Sequence, residues 1–311
     1  MSMVSHRHVK EPRYVQYYLA TSVFLITFLV YLTSLRNEFV EWDDSIYVLD
    51  NIHIRSINVA FFQWVFLDFY ASNWHPLTWI SHAIDYAVWG LNPLGHHLTN
   101  NVLHAINAFT VVVLATRIMQ VYREKMLRNG ASTFLDERGI AIAGGVTGLL
   151  FGLHPLHVES VAWVAERKDL LCALFFLLSM TAYTTYRARA PIEAAHNKSA
   201  AGHMNRHYVL SLGFFALALL SKSMAVTLPL CLLIVDWYPF HRIRSLKTFW
   251  IALVDKLPFL ALSLISSILT LHAQGSGGSI VSIELAPLST RLLVAAKALL
   301  VYLGKMVIQS D

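Results

Sequence analysis

Charge is scarce in this chain of 311 residues: 14% are Asp, Glu, Lys or Arg, 56% are hydrophobic, and the mean hydropathy is +0.52. A soluble globular domain carries about a quarter charged residues, so the shortfall excludes one and reads as an all-α polytopic membrane protein. Cysteine is nearly absent. The two present, Cys172 and Cys231, both lie in apolar runs, which excludes a disulfide framework or a cysteine metal site. No small-residue cleavage site follows the first apolar run, so no cleavable signal peptide is expected. Nor is any tandem pattern of about 34 residues visible. The formal charge is +5, but the basic residues are spread over short loops between apolar runs. That is the distribution of topology determinants, so no nucleic-acid partner is expected.

What the chain does have is a series of apolar runs. Tyr14 to Leu35 is long enough to cross a hydrocarbon core of about 30 Å as a helix. Arg7, Lys10 and Arg13 precede it, so residues 1–13 read as a cytoplasmic tail and 36–97 as a long first extracytoplasmic loop. Within that loop Leu77 to Leu91 is apolar and aromatic but interrupted by His82 and Asp85, and reads as an amphipathic helix lying in the interface. The aromatic run Phe61 to Tyr70 reads as an interfacial anchor ahead of a sugar platform. Further spans are expected at Leu98–Met119, Ile140–Leu153, Leu170–Tyr186, Trp250–His272 and Arg291–Ile308. The stretch Tyr208–Phe240 reads as two short crossings broken at Ser221-Lys222-Ser223, because that choice puts most of the 24 Lys and Arg residues on one side. The count is then about eight. The polar start of the second span, Thr99, Asn100, Asn101 and His104, should face other helices and not lipid.

With this topology three polar groupings share the extracytoplasmic side. The first is the adjacent pair Asp43 and Asp44 in NEFVEWDDSIYVLDN, directly after the first span. Two like charges this close push one pKa upward, which makes one of them a proton acceptor near neutral pH. The same letters also make an Asx-type turn capping the short helix DDSIYV, and on these residues alone both readings stand. The second grouping is His154, His157, Glu159, Glu166, Arg167, Lys168 and Asp169. There His154-Pro155 also reads as a helix end, the two histidines with Glu159 lack a third well-placed metal ligand, and 166–169 alone reads as a solvated charge run. The third is Lys222, which is flanked by apolar sequence and needs an outlet to water or an anion. Acids and bases from distant parts of the chain thus meet where a reaction on a membrane-borne anion would need a base and a set of cations.

The order of these pieces resembles a known family. WDD opens a long outer loop. HPLTWISHAIDYAVWGLNPLGHHLTNNVLHAINA, HPLHVESVAWVAERKDLLCALFFLLS, SKSMAVTLPL and DWYP then follow. This is similar to the membrane part of the tetratricopeptide-containing O-mannosyltransferases and their prokaryotic relatives, in the GT-C glycosyltransferase class, over about Asn37 to Lys305. The resemblance implies a single GT-C-like transmembrane domain across 1–311, with the C-terminal part of the family architecture missing. It implies inverting transfer of a mannose-like sugar from a polyprenyl-phosphate donor to a hydroxyl of a protein or glycan. It also implies that the acidic motif supplies the base: Asp43, with Asp44 orienting it or binding acceptor. His154, Arg167, Lys222 and Lys168 are the implied donor-phosphate contacts, and His157, Glu159 and Glu166 the implied support for the acceptor. A divalent metal at Asp43 and Asp44 stays open, as does any other cofactor.

Two other readings remain: a transporter or flippase for a lipid-linked anion, which calls for charges near the membrane midplane, and a non-catalytic scaffold. The compact loops favour a bacterial inner membrane over the endoplasmic reticulum.

Overall fold

The computed structural model describes residues 14–133, 135–196, 205–278 and 284–307. The expected tail 1–13, the loop around Lys198 and the last residues of the eighth expected span lie outside these. The helices are α1 (Tyr14–Val30), α2 (Val59–Leu67), α3 (Pro76–Trp89), α4 (Pro93–Arg128), α5 (Glu137–Gly152), α6 (Val158–Ala162), α7 (Arg167–His196), α8 (Arg206–Ser221), α9 (Leu228–Trp237), α10 (Leu246–Val254), α11 (Leu257–Ser276) and α12 (Leu288–Val307). Among the described residues four helices are long and apolar enough to cross a membrane: Tyr14–Arg36, Pro93–Arg128, Val164–Arg189 and Leu257–Ser276. A fifth is gained if α5 and the bent segment Pro155–Ala162 count as one span. The all-α polytopic class holds. By length and composition, however, the eight expected crossings reduce to four or five, and α8 and the segment Ser223–Trp237 are shorter apolar helices.

Local chemistry explains most boundaries. Asn92 caps α4 by accepting from the Leu94 N–H, with Pro93 supplying a first-turn residue that has no N–H to lose. Asp136 caps α5 through the Gly139 N–H. That helix ends before His154-Pro155, where His154 is extended, as a residue preceding proline prefers. The break at Lys222 is also present: α8 stops at Ser221, Lys222 is extended, and a 3-10 turn (Ser223–Thr227) leads into α9. One expected boundary is corrected. Trp250–His272 is not a single helix, because the chain turns at Asp255-Lys256 and restarts with Pro258 in the first turn of α11.

α1, α4 and α5 pack as one group, α7 pairs with α8, and α4 joins the groups by contacting α7. The polar start of α4 turns inward as expected, with Asn100, Asn101 and His104 buried and the half-buried Thr99 donating to Asp85 at 2.8 Å; Asn107 is buried as well. The Asn101 side-chain amide donates to the Phe28 carbonyl at 3.2 Å and that of Asn107 to the Leu170 carbonyl at 2.9 Å. In α3 the expected amphipathicity is inside out. His82 and Asp85 are buried beside Trp79 and Ala83, while Ile84, Val88 and Trp89 are exposed, so the polar residues of this helix turn inward and part of its apolar surface outward. The aromatic run divides: Phe61 and Trp64 enter the core beneath the first loop, and Phe62 and Phe66 remain exposed.

A second polar cluster closes the far end of α7. Asp236, from the DWYP stretch, is fully buried and accepts from the Tyr183 hydroxyl at 2.8 Å and from Arg242 at 3.1 Å. It also pairs with the fully buried Lys256, while Arg187 reaches both Asp236 and Asp255.

Two consequences are measurable as thermal unfolding of the detergent-solubilised chain. A Cβ on Gly152 would meet Thr27 Oγ1 at 2.3 Å and Ala108 Cβ at 3.2 Å. Gly152→Val should therefore destabilise by about 1–3 kcal/mol, the usual cost of overpacking; an unchanged midpoint would show that α1, α4 and α5 are not so closely seated. Asp236→Ala strands the Lys256 ammonium and should cost about 3–5 kcal/mol, with Asp236→Ala/Lys256→Met recovering part of the loss.

Candidate active site

The first loop is anchored by Asp44. Its carboxylate is fully buried and accepts from the Val40 N–H at 2.9 Å and the Ala165 N–H at 2.7 Å. The forward-capping reading fails on this point, since Asp44 precedes the short helical turn Ser45–Leu49 without capping it. Its side chain instead fastens the loop to the turn Val164–Glu166 ahead of α7. The Asp44 pKa is raised, as the adjacent-acid argument anticipates, but burial is the leading cause; the two N–H donors oppose it and the Asp43 charge adds the least. Asp43 points elsewhere. Its side chain is 37% exposed, and Oδ2 lies 3.9 Å from Lys168 Nζ.

Around Lys168 the charges form a chain. Its ammonium lies 2.7 Å from Glu166 Oε1, donates to the Ala165 carbonyl at 3.2 Å, and sits 4.8 Å above the ring of Tyr47. The other oxygen of Glu166 is 3.5 Å from Lys222 Nζ, and Lys222 also pairs with Asp169. The helix break at Lys222 thus delivers a lysine from the α8–α9 half to acids at the start of α7. His75, at the N-terminus of α3, borders this chain and is 5% exposed. Burial, followed by the Lys168 and Lys222 charges, holds its pKa down at about 3, so the ring is neutral. Burial likewise pushes the Tyr47 phenol up, with Asp43 and Glu166 adding to it.

Arg167 is placed differently from its expected role. It is fully buried. Nε donates to Asn100 Oδ1 at 2.8 Å, one terminal nitrogen lies 2.6 Å from Asp85 Oδ2 and 3.4 Å from Ser81, and the other donates to the His96 carbonyl at 2.8 Å. All three nitrogens are committed inside the protein. The guanidinium knits α3, α4 and α7 together and does not line the cluster around Lys168.

The histidines also stand apart. The His157 ring contacts His104 and Phe151 with centroids 5.4 and 4.6 Å away, and His154 lies 6.2 Å from His157. His104 in turn bonds the Gly152 carbonyl at 2.9 Å, which places this group at the end of α5. Glu159 is exposed. The structure therefore joins Asp43, Asp44, Glu166, Lys168, Asp169 and Lys222, and leaves His154, His157 and Glu159 outside. Among the described residues no three His, Cys, Asp or Glu side chains are grouped to hold a metal ion. At the expected position, Asp44 already spends its oxygens on backbone N–H groups.

Sequence reasoning missed Asp85, the partner of Arg167, and His75. The signal for Asp85 was present: an ionisable residue inside an apolar helix calls for a partner, and it was read instead as an interruption of the pattern.

No family model and no solved structure matches the chain. Several curated proteins do. It is 31% identical to protein O-mannosyl-transferase TMTC2 of Mus musculus over 175 residues, 55% of this chain and 17% of that protein. It is 34% identical to protein O-mannosyl-transferase TMTC4 of Homo sapiens over 158 residues, 50% of this chain and 19% of that protein. With protein O-mannosyl-transferase Tmtc1 of Drosophila melanogaster the identity is 31% over 179 residues, 56% of this chain and 17% of that protein. The chain therefore matches less than a fifth of the length of these relatives. Over about half of its own length it is similar to protein O-mannosyl-transferases.

Proposed function

We propose that the chain is the membrane part of a glycosyltransferase that moves a mannose-like sugar from a polyprenyl-phosphate donor to a hydroxyl acceptor, with inversion, on the extracytoplasmic side. The observation that carries this reading is the meeting of a half-exposed carboxylate, Asp43, with two lysines drawn from separate helices, in a relative of O-mannosyltransferases. Asp43 takes the proton of the acceptor hydroxyl while that oxygen attacks the anomeric carbon from the face opposite the phosphate. The sugar–oxygen bond to phosphate breaks, and the electron pair leaves with the polyprenyl phosphate. Lys168 and Lys222 stabilise the charge that builds on the departing phosphate, a contribution of a few kcal/mol per well-placed donor. Asp44 serves by holding the loop that carries Asp43, and Arg167 by holding the helix that carries Lys168.

The transporter reading is disfavoured by where charge sits along α7. The ionisable clusters lie at its start and around Arg187, and no Asp, Glu, Lys or Arg occurs between Asp169 and Arg187. A carrier needs its charged site near the midplane.

Transfer of labelled sugar from a polyprenyl-phosphate donor, in membranes containing this chain, tests the assignment. Asp43→Asn should lose at least about a hundredfold in rate, the range for a general base, with its thermal midpoint unchanged; equal transfer by both removes Asp43 from the role. Asp44→Asn places an amide N–H against one of two backbone N–H donors. It should lower both transfer and the thermal midpoint, and a variant that lost rate alone would make Asp44 a direct participant.

A further inference from the structure

Glu166 is the acid that, among the described residues, touches both lysines of the site. One oxygen lies 2.7 Å from Lys168 and the other 3.5 Å from Lys222. Each lysine has other company. Lys168 has Asp43, the Ala165 carbonyl and the Tyr47 ring, and Lys222 has Asp169. Among the described residues Glu166 alone stands between them, one carboxylate bridging a cation at the start of α7 and one at the end of α8. The lysine side chains are 9% and 20% exposed and that of Glu166 is 14% exposed, so the three share a largely desolvated space. Two ammonium groups held there without an anion would be costly.

Building on the proposed transferase reading, we propose that Glu166 is a resident substitute for the donor's phosphate, displaced when the lipid-linked sugar binds. The exchange conserves charge. A carboxylate and a phosphodiester each carry one negative charge, so Glu166 swings out as one anion and the donor enters as another. After transfer the phosphate becomes a monoester with a charge of about −1.5 to −2. The lysines hold that product more strongly than the donor, and the returning Glu166 competes with it and promotes release. The same residue therefore weakens donor binding and speeds product departure. A purely structural ion pair would do neither.

The test uses the purified full chain in detergent with farnesyl phosphate as the probe, its affinity measured by titration and the thermal midpoint recorded alongside. Glu166→Gln should bind farnesyl phosphate at least about tenfold more tightly than the parent, the scale of one hydrogen bond to a charged group. Adding Lys222→Gln should remove the gain. If Glu166→Gln unfolds, Glu166→Asp, one methylene too short to span both lysines, should show a smaller gain. Equal or weaker binding by a folded Glu166→Gln overturns the proposal, as does no binding by any form. In the transfer assay Glu166→Gln should lower the donor KM and kcat together. A binding gain without transfer by the parent would retire the transferase reading and leave the displaceable anion in place.

Discussion

The buried guanidinium of Arg167 is the constraint on which the rest of the site depends. An isolated charge in this interior is not tolerated, so the helices must bring it partners: Asp85 and Ser81 from α3, and Asn100 and the His96 carbonyl from α4. Once those contacts form, the start of α7 has one position. Ala165 then offers its N–H to Asp44, Glu166 and Asp169 face Lys222, and Lys168 pairs with Glu166. The most basic residue of the run ERKD is thus spent on architecture, which leaves the chemistry to its less basic neighbours.

The cations of the site are not vacant positive charges waiting for an anion. Lys168 and Lys222 are already compensated by Asp43, Glu166 and Asp169. The converging acids and bases expected from the topology do converge, but as a neutralising chain in which any incoming anion must compete. Electrostatic attraction then acts as discrimination between anions and less as raw affinity.

Much of this was legible before any coordinates. The proline at His154-Pro155 and the lysine within an apolar stretch carry local signals, and each marks a boundary that is present. What the sequence hid is long-range partnership. Arg167, Lys168 and Lys222 are the same kind of letter, yet one is sealed inside and two border the site; only the facing helices decide which. Trp250–His272 reads as one span, yet Asp255 and Lys256 lie inside it, and their partners Arg187 and Asp236 give the chain a reason to turn there. His154 and His157 share the expected segment but pack at the end of α5, because the bend after Gly152 separates them from the turn that Asp44 holds, and Glu159 is exposed.

Both ionic clusters hang on one rigid helix, and that sets a length. Asp169 and Arg187 are separated by about 27 Å along α7 at the usual rise per residue, with only uncharged side chains between them. Neither end can slide toward the other, since each is pinned by partners on neighbouring helices. The protein therefore carries a fixed ruler for the hydrocarbon slab around it. A thicker bilayer must thin at its perimeter and a thinner one must tilt the bundle, at a cost of fractions of a kcal/mol per ångström, and lipid composition becomes a mechanical load on the geometry of the site.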